Sequence, residues 1–92
     1  MQAYRIRPRV RGNNCVPNTE VSYEDCSKAA AFSNEVYTCG SCTPIRSNDT
    51  SLPPGCSISS TQLLYYNENK EGINNGQYAP VCHDVSASSI HI

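Results

Sequence analysis

Residues 53–67, which read PPGCSISSTQLLYYN, decide the fold because they predict a β-hairpin in the middle of the chain. Within them, residues 55–59 alternate so that Cys56 and Ile58 point inward, as in a short strand. Residues 63–66 combine leucine with tyrosine and form a second predicted strand. The Ser-Thr-Gln link between the two strands suits a hairpin.

A short helix is predicted before this hairpin and a third strand after it. The helix spans residues 22–33 and begins with Ser22 as a candidate N-cap and Asp25 three residues later, which is close to a capping box. Small residues that allow close packing then recur at helical spacing: Cys26, Ala29, Ala30 and Ser33. Residues 36–54 are rich in Gly, Pro, Ser and Asp and predict a loop. The third strand is predicted over residues 79–84.

Six cysteines in 92 residues predict a disulfide framework, and therefore an oxidising compartment, extracellular or in an organelle lumen. Leu, Ile, Val and Phe contribute only 16 residues, so the core is small and depends on covalent cross-links. We predict an α+β fold. It is a small, disulfide-stapled, loop-rich domain with one short helix on a small antiparallel sheet, preceded by an extended N-terminal arm.

Charge divides the chain into residues 1–11, predicted to be a basic extended arm, and residues 12–92, predicted to be a single cysteine-rich domain. The arm has a charge of +4, whereas three cations against eight acidic residues leave −5 on the remainder. Such asymmetry usually concerns association with other molecules. The acidic body and the oxidising compartment argue against a nucleic-acid partner, although arginine binds phosphate well. No run of apolar residues approaches the roughly 18 that a membrane span needs, so we expect no membrane-spanning segment.

The arm alternates like an extended strand, with apolar residues on one face and guanidinium groups on the other. Pro8 cannot donate a ladder hydrogen bond, so such a strand belongs at a sheet edge or pairs on one side only. It could pair with the edge of its own domain, or it could add to a protein partner or to another copy. The predicted partner-binding residues are Tyr4, Arg5, Ile6, Arg7, Arg9, Val10 and Arg11.

Four motifs resemble a known frame in their order along the chain: Cys26-Ser-Lys-Ala-Ala30, Pro53-Pro-Gly-Cys56, Leu64-Tyr-Tyr-Asn67 and Pro80-Val-Cys82. The frame is similar to a small cysteine-rich domain that recurs in secreted-type proteins of unicellular algae and related protists. The resemblance covers roughly residues 15–84 and implies a fold and an export route, without an assigned activity. Neither the arm nor the pair Cys39 and Cys42 belongs to the frame.

The resemblance also implies a disulfide pairing. In the frame the helix cysteine bonds the first sheet strand, which implies Cys26 with Cys56 here. Cys15 would then bond Cys82 and tie the entry of the domain to its last strand, leaving Cys39 with Cys42. This is one of 15 connectivities that six cysteines allow.

Cys39-Gly-Ser-Cys42 has the Cys-x-x-Cys form and admits three interpretations. A thiol oxidoreductase needs a helix N-terminus that lowers the thiolate pKa, and here Thr43-Pro44 and a loop follow. Zinc could use the pair together with Cys56 and His83, but these two lack ligand spacing. We therefore interpret the pair as a structural disulfide and expect neither a metal site nor a cofactor.

The sequence shows no nucleophile–base pair and no acid–base pair that could support catalysis. We therefore predict that the chain has no catalytic residues and is not an enzyme. Asn48-Asp-Thr50 is an N-glycosylation sequon on a predicted surface loop. We predict a non-enzymatic structural or assembly module whose arm docks on a partner or on another copy, extending to a filament or a large assembly. Two alternatives remain: a glycan- or protein-binding module that uses exposed tyrosines, and a small accessory luminal subunit of an algal photosynthetic complex.

Overall fold

A computed structural model describes residues 4–33 and 43–84 of the chain. It contains one helix and five strands, numbered in chain order. The strands are β1 (Tyr4–Ile6), β2 (Ile45–Ser47), β3 (Gly55–Ser59), β4 (Leu64–Asn67) and β5 (Tyr78–His83), and the helix is α1 (Cys26–Ser33).

The strands form one mixed sheet in the order β1-β5-β3-β4-β2. β3 lies at its centre, antiparallel to β4 and β5, and β1 is antiparallel to β5. β2 runs parallel to β4, with Ile45 opposite Tyr65. The α+β fold is thus confirmed, and the hairpin and third strand lie where they were predicted. The sheet, however, is not purely antiparallel, and β2 falls within the segment predicted to be a loop.

The buried core lies between α1 and one face of the sheet. In the register of the central strands, Ile58 stands opposite Leu64 on one side and Ala79 on the other. Ala29 and Ala30 of α1 pack into the same cluster and are completely buried. Small side chains on the helix allow its backbone to lie close to the sheet. The cluster contains Val21, Cys26, Ala29, Ala30, Cys56, Ile58, Leu64 and Val81.

The helix begins four residues later than predicted. Ser22 and Asp25 do make the expected capping contact, since the Asp25 amide donates to Ser22 Oγ at 3.4 Å. The main chain, however, first makes two turns of the i to i+3 type, from Asp25 to Ser22 and from Cys26 to Tyr23. The first helical bond runs from the Ala29 amide to the Asp25 carbonyl. The capping box therefore stabilises a turn that leads into α1.

β1 is an edge strand, as expected from Pro8, and it pairs with the domain's own β5. The pairing ends near Arg7, whose amide donates to the Pro80 carbonyl at 2.8 Å. Pro80 has no amide hydrogen with which to return a bond, so the ladder stops there. The chain then turns, with the Val10 amide bonded to the Pro8 carbonyl. The predicted alternation is therefore realised as a strand of three residues only, and Val10 is 55% exposed.

Two buried asparagines hold the loops around the sheet. Asn67 Nδ2 donates to the carbonyls of Asp49 and Leu52, and its Oδ1 accepts the Asp49 amide. Asn74 Nδ2 donates to the carbonyls of Asn13 and Tyr78. Buried amides of this kind are favourable only when their donors and acceptors are satisfied. These hydrogen bonds hold the loop segments that contain Asp49, Leu52 and Asn13.

Candidate functional site

Two disulfides anchor the scaffold on which a site could be built. Cys26 of α1 bonds Cys56 of β3, with Cα atoms 5.5 Å apart, and Cys15 bonds Cys82 of β5, with Cα atoms 5.7 Å apart. Both pairings agree with those that the resemblance implied. They fit an oxidising compartment. Cys39 and Cys42 lie outside the described residues, so their pairing stays a prediction.

The disulfides also bear on the zinc alternative. Cys56 is bonded to Cys26, and a disulfide sulfur does not serve as a thiolate ligand. Within residues 4–33 and 43–84 there is no group of three or more His, Cys, Asp or Glu side chains placed to hold a metal ion. In the same part of the chain, no helix is long and apolar enough to cross a membrane.

The basic groove, as we call it, lies along β1 and has a volume of about 330 Å³. Arg5 and Arg7 of the N-terminal segment line it on one side, while Val16 and Thr19 come from the loop that precedes the helical turn. The His83 amide bonds the Thr19 carbonyl at 2.8 Å and so joins this loop to the end of β5. The lining residues are Arg5, Ile6, Arg7, Pro8, Val16, Thr19, Cys82, His83 and Asp84.

The arginines of the predicted arm have different surroundings. The Arg5 side chain is 62% exposed, and its nearest carboxylate oxygen, of Asp84, is 4.0 Å from Nη1. Arg7 Nη1 donates to the Asn14 carbonyl at 2.9 Å. Arg9 Nη2 donates to the carbonyls of Ile58 and Ser59, at the end of the central strand. Arg5 is thus directed to solvent, whereas Arg9 is part of the scaffold.

The apolar members of the arm also divide. Tyr4 and Ile6 are partly buried against the core cluster, and the Tyr4 ring lies 5.2 Å from the His83 ring between centroids. Pro8 lines the basic groove, and Val10 and Arg11 are exposed beyond it. The structure therefore brings Arg5, Ile6 and Arg7 of the predicted partner-binding set into one groove, and it uses Arg9 elsewhere.

A second charged cluster occupies the opposite edge of the sheet, where the sequence predicted no site. The Arg46 guanidinium lies 3.9 Å from the centre of the Tyr23 ring and donates to Glu68 Oε2 at 2.6 Å. The Tyr23 ring in turn meets the Tyr66 ring edge-on, 5.6 Å between centroids. The hydrogen bond to Glu68 is the main reason that the pKa of Arg46 is raised. No motif links Tyr23, Arg46 and Glu68 along the sequence, because the cluster forms only when β2 joins β4.

The tyrosines proposed as a glycan-binding face pack against one another. Tyr65 and Tyr78 meet edge-on, with centroids 5.5 Å apart, and both are half-buried. Burial, followed by the charges of Tyr65 and Asp49, raises the pKa of Tyr78. Edge-to-face packing is the stabilising arrangement for aromatic pairs. A glycan-binding role stays a prediction.

Asn48 of the sequon lies on an exposed loop directly after β2. The next residue, Asp49, accepts hydrogen bonds at Oδ1 from the amide and the hydroxyl of Ser51. These bonds lower the pKa of Asp49, the bond from the Ser51 amide most of all. The loop is thus ordered by its own side chains while Asn48 faces solvent, which is the setting that a glycan requires. Occupancy of Asn48 stays a prediction.

Comparison of the chain with protein-family models, with curated proteins and with solved structures gives no match. The functional interpretation therefore depends on the geometry of the chain itself.

Proposed function

We propose that the chain is a non-enzymatic structural or assembly module, and that it docks on a protein partner or on another copy through the basic groove. The observation that carries the proposal is the placement of an exposed Arg5 and of Arg7 in one groove with the exposed apolar side chains of Pro8 and Val16. Guanidinium groups recognise carboxylates with two parallel hydrogen bonds. Apolar walls add buried area and direction to such a contact.

The scaffold beneath the groove supports a binding role. Cys82 lines the groove and is held by its disulfide to Cys15, while Arg9 fixes the chain on the far side of Pro8. A surface that is held in place before the partner arrives loses little conformational entropy on binding. The groove is therefore suited to recognition without rearrangement of the domain.

The arm would act in this role without leaving its own domain. β1 is already hydrogen-bonded to β5 of the same chain, so the arm does not need to be donated to a neighbouring sheet. Its outward groove would receive the partner instead. The favoured partner is acidic, because like charges at an interface are unfavourable and opposite charges guide association.

We place this activity in the extracellular space or in an organelle lumen. Structural disulfides persist in such compartments, and the exposed sequon at Asn48 is consistent with passage through a secretory pathway. The resemblance to cysteine-rich domains of algal secreted-type proteins points in the same direction.

Hydrogen exchange at increasing protein concentration, or with added acidic partner, tests the proposal. We expect amides of residues 16–19, which form one wall of the basic groove, to gain protection on association. Amides of residues 69–73, in the loop after β4, do not line the groove and serve as the internal control. Association that protects only residues 69–73 would contradict the proposal.

A further inference from the structure

We propose that the occupant of the basic groove is the acidic turn before α1, residues 22–25, of a second copy. This inference rests on the proposed function and names its partner. Glu24 and Asp25 are adjacent in this turn, and Glu24 is exposed. The contact joins two different surfaces of identical chains, so it is head-to-tail.

Most other carboxylates of the described residues already have partners. Glu20 Oε1 accepts a hydrogen bond from the Asn18 amide, and Asp49 accepts two from Ser51. Asp25 accepts one from the Ser22 hydroxyl, Glu68 pairs with Arg46, and Asp84 lies 4.0 Å from Arg5 within the groove. Within residues 4–33 and 43–84, the Glu24 carboxylate has no cation within 4 Å and no hydrogen bond, and the same holds for Glu71. These two are the acidic side chains that a guanidinium can engage without displacing an existing contact.

Glu71 is the weaker of these two candidates. It directly follows Lys70, so the two residues together carry no net charge. Glu24 is followed by Asp25, and the two adjacent carboxylates together carry a charge of −2. Glu24 therefore offers the stronger attraction for a guanidinium group of another copy.

The acidic turn makes no ion pair with the basic groove of its own chain, since neither salt bridge of the described residues joins Glu24 to Arg5 or Arg7. Tyr23, next to Glu24, packs against Tyr66 of β4, and the turn is held by the Cys26–Cys56 disulfide. The Glu24 carboxylate is therefore available to the groove of another molecule.

A head-to-tail contact of this kind has a recognisable behaviour. An open assembly has an unoccupied groove at one end and an unoccupied acidic turn at the other. It therefore either closes into a ring or grows as a filament. Nine described residues line the groove, whereas a stable complex uses roughly 20–30 residues on each side and buries roughly 1,200–2,000 Å². The assembly should therefore form at high protein concentration and dissociate as salt screens the charges.

Charge exchange between two variants tests the inference. Arg5→Glu and Glu24→Lys should each weaken self-association about tenfold, because a favourable pair becomes a repulsive one. An equimolar mixture of the two should recover association, since the carboxylate introduced into the groove of one variant then meets the ammonium group introduced into the turn of the other. Glu71→Lys is the matched control and should associate like the wild-type chain. Sedimentation velocity of the oxidised proteins gives the readout, and a thermal unfolding curve establishes that each variant is folded.

The outcomes separate the inference from the proposed function. If Arg5→Glu prevents association but Glu24→Lys does not, and the mixture is not restored, the turn is not the occupant while the groove still is. If association persists unchanged in both variants, the groove itself is excluded. If Glu71→Lys weakens association as much as Glu24→Lys does, the contact is a general charge effect, and the inference is overturned.

Discussion

Arg9 bonds Ser59 across 50 residues of sequence: its Nη2 donates to the Ser59 carbonyl at 3.0 Å and also to that of Ile58 at 3.2 Å. The basic N-terminal segment is therefore attached at both ends of its described part. β1 pairs with β5, and Arg9 caps the end of β3. This attachment explains why individual substitutions, rather than removal of residues 1–11, are the informative way to study its function.

Arg9→Ala should destabilise the domain, whereas Arg11→Ala should not. Hydrogen bonds to a charged donor are typically worth about 1.5–3 kcal/mol, and partial solvent exposure reduces this to about 1 kcal/mol here. Arg11 is exposed at the neighbouring turn and is a matched control for loss of charge. Urea unfolding of both variants checks the prediction. Equal destabilisation by the two substitutions would mean that net charge, not the contact with β3, is what matters.

The two described disulfides should both be required for stability. In the chain-entropy model, the Cys26–Cys56 bond contributes about 3.5 kcal/mol and the longer Cys15–Cys82 loop about 4.5 kcal/mol. Paired alanine substitutions at each bond, followed by thermal unfolding, measure these losses. Peptide mapping without reduction provides the direct control, and a fragment that joins Cys26 to any cysteine other than Cys56 would contradict the pairing.

Asn74→Ala should lower the free energy of unfolding by about 2–3 kcal/mol. The substitution removes a buried amide and leaves the carbonyls of Asn13 and Tyr78 without this hydrogen-bond donor. The adjacent Asn75 is half-exposed, and its Oδ1 accepts the Gln77 amide within the same loop. Asn75→Ala is therefore the control and should cost well under half as much. Denaturant unfolding of the two variants distinguishes them, and a reversal of their order would be incompatible with the structure.

Tyr78 should ionise at a higher pH than an ordinary tyrosine and so give a late component in the alkaline titration of the phenol groups. Burial favours its neutral phenol, so its pKa in the folded chain lies above the ordinary value of 10.0. Its contribution to stability is fully present below pH 10.0 and is lost as the pH rises through the raised pKa. Absorbance of tyrosinate follows the titration. Tyr78→Phe should remove the late component and Tyr23→Phe should leave it; persistence of that component in Tyr78→Phe would refute the assignment.

The sequence correctly predicts the elements that have a regular spacing of buried residues over a short segment. The alternation around Cys56 and Ile58 predicts β3, and the spacing of Ala29 and Ala30 predicts the buried face of α1. The disulfides agree with the pairing that the resemblance implied. The strand and the helix depend on residues that are close together in sequence, whereas the disulfide pairing is predicted by the resemblance alone.

The remaining features depend on contacts between distant residues. β2 has only three residues, too few for a period, and is defined by its pairing with β4. Arg46 finds Tyr23 and Glu68 only after that pairing has formed. The sequence also cannot separate Arg5 from Arg9, because both belong to one alternating stripe. Their difference arises where Pro80 ends the ladder and the chain turns toward β3.

Sedimentation velocity of the oxidised protein, comparing the wild-type chain with Arg5→Glu and Lys70→Glu over a range of concentrations, tests the central claim most directly. Both substitutions make the same change in net charge, but Arg5 lines the basic groove, whereas Lys70 is exposed in the loop after β4 and lines no part of it. The proposed docking surface predicts concentration-dependent, salt-sensitive association that is lost in Arg5→Glu and retained in Lys70→Glu. Association that survives Arg5→Glu, or is lost equally in both variants, would contradict the assignment of the groove as the docking surface.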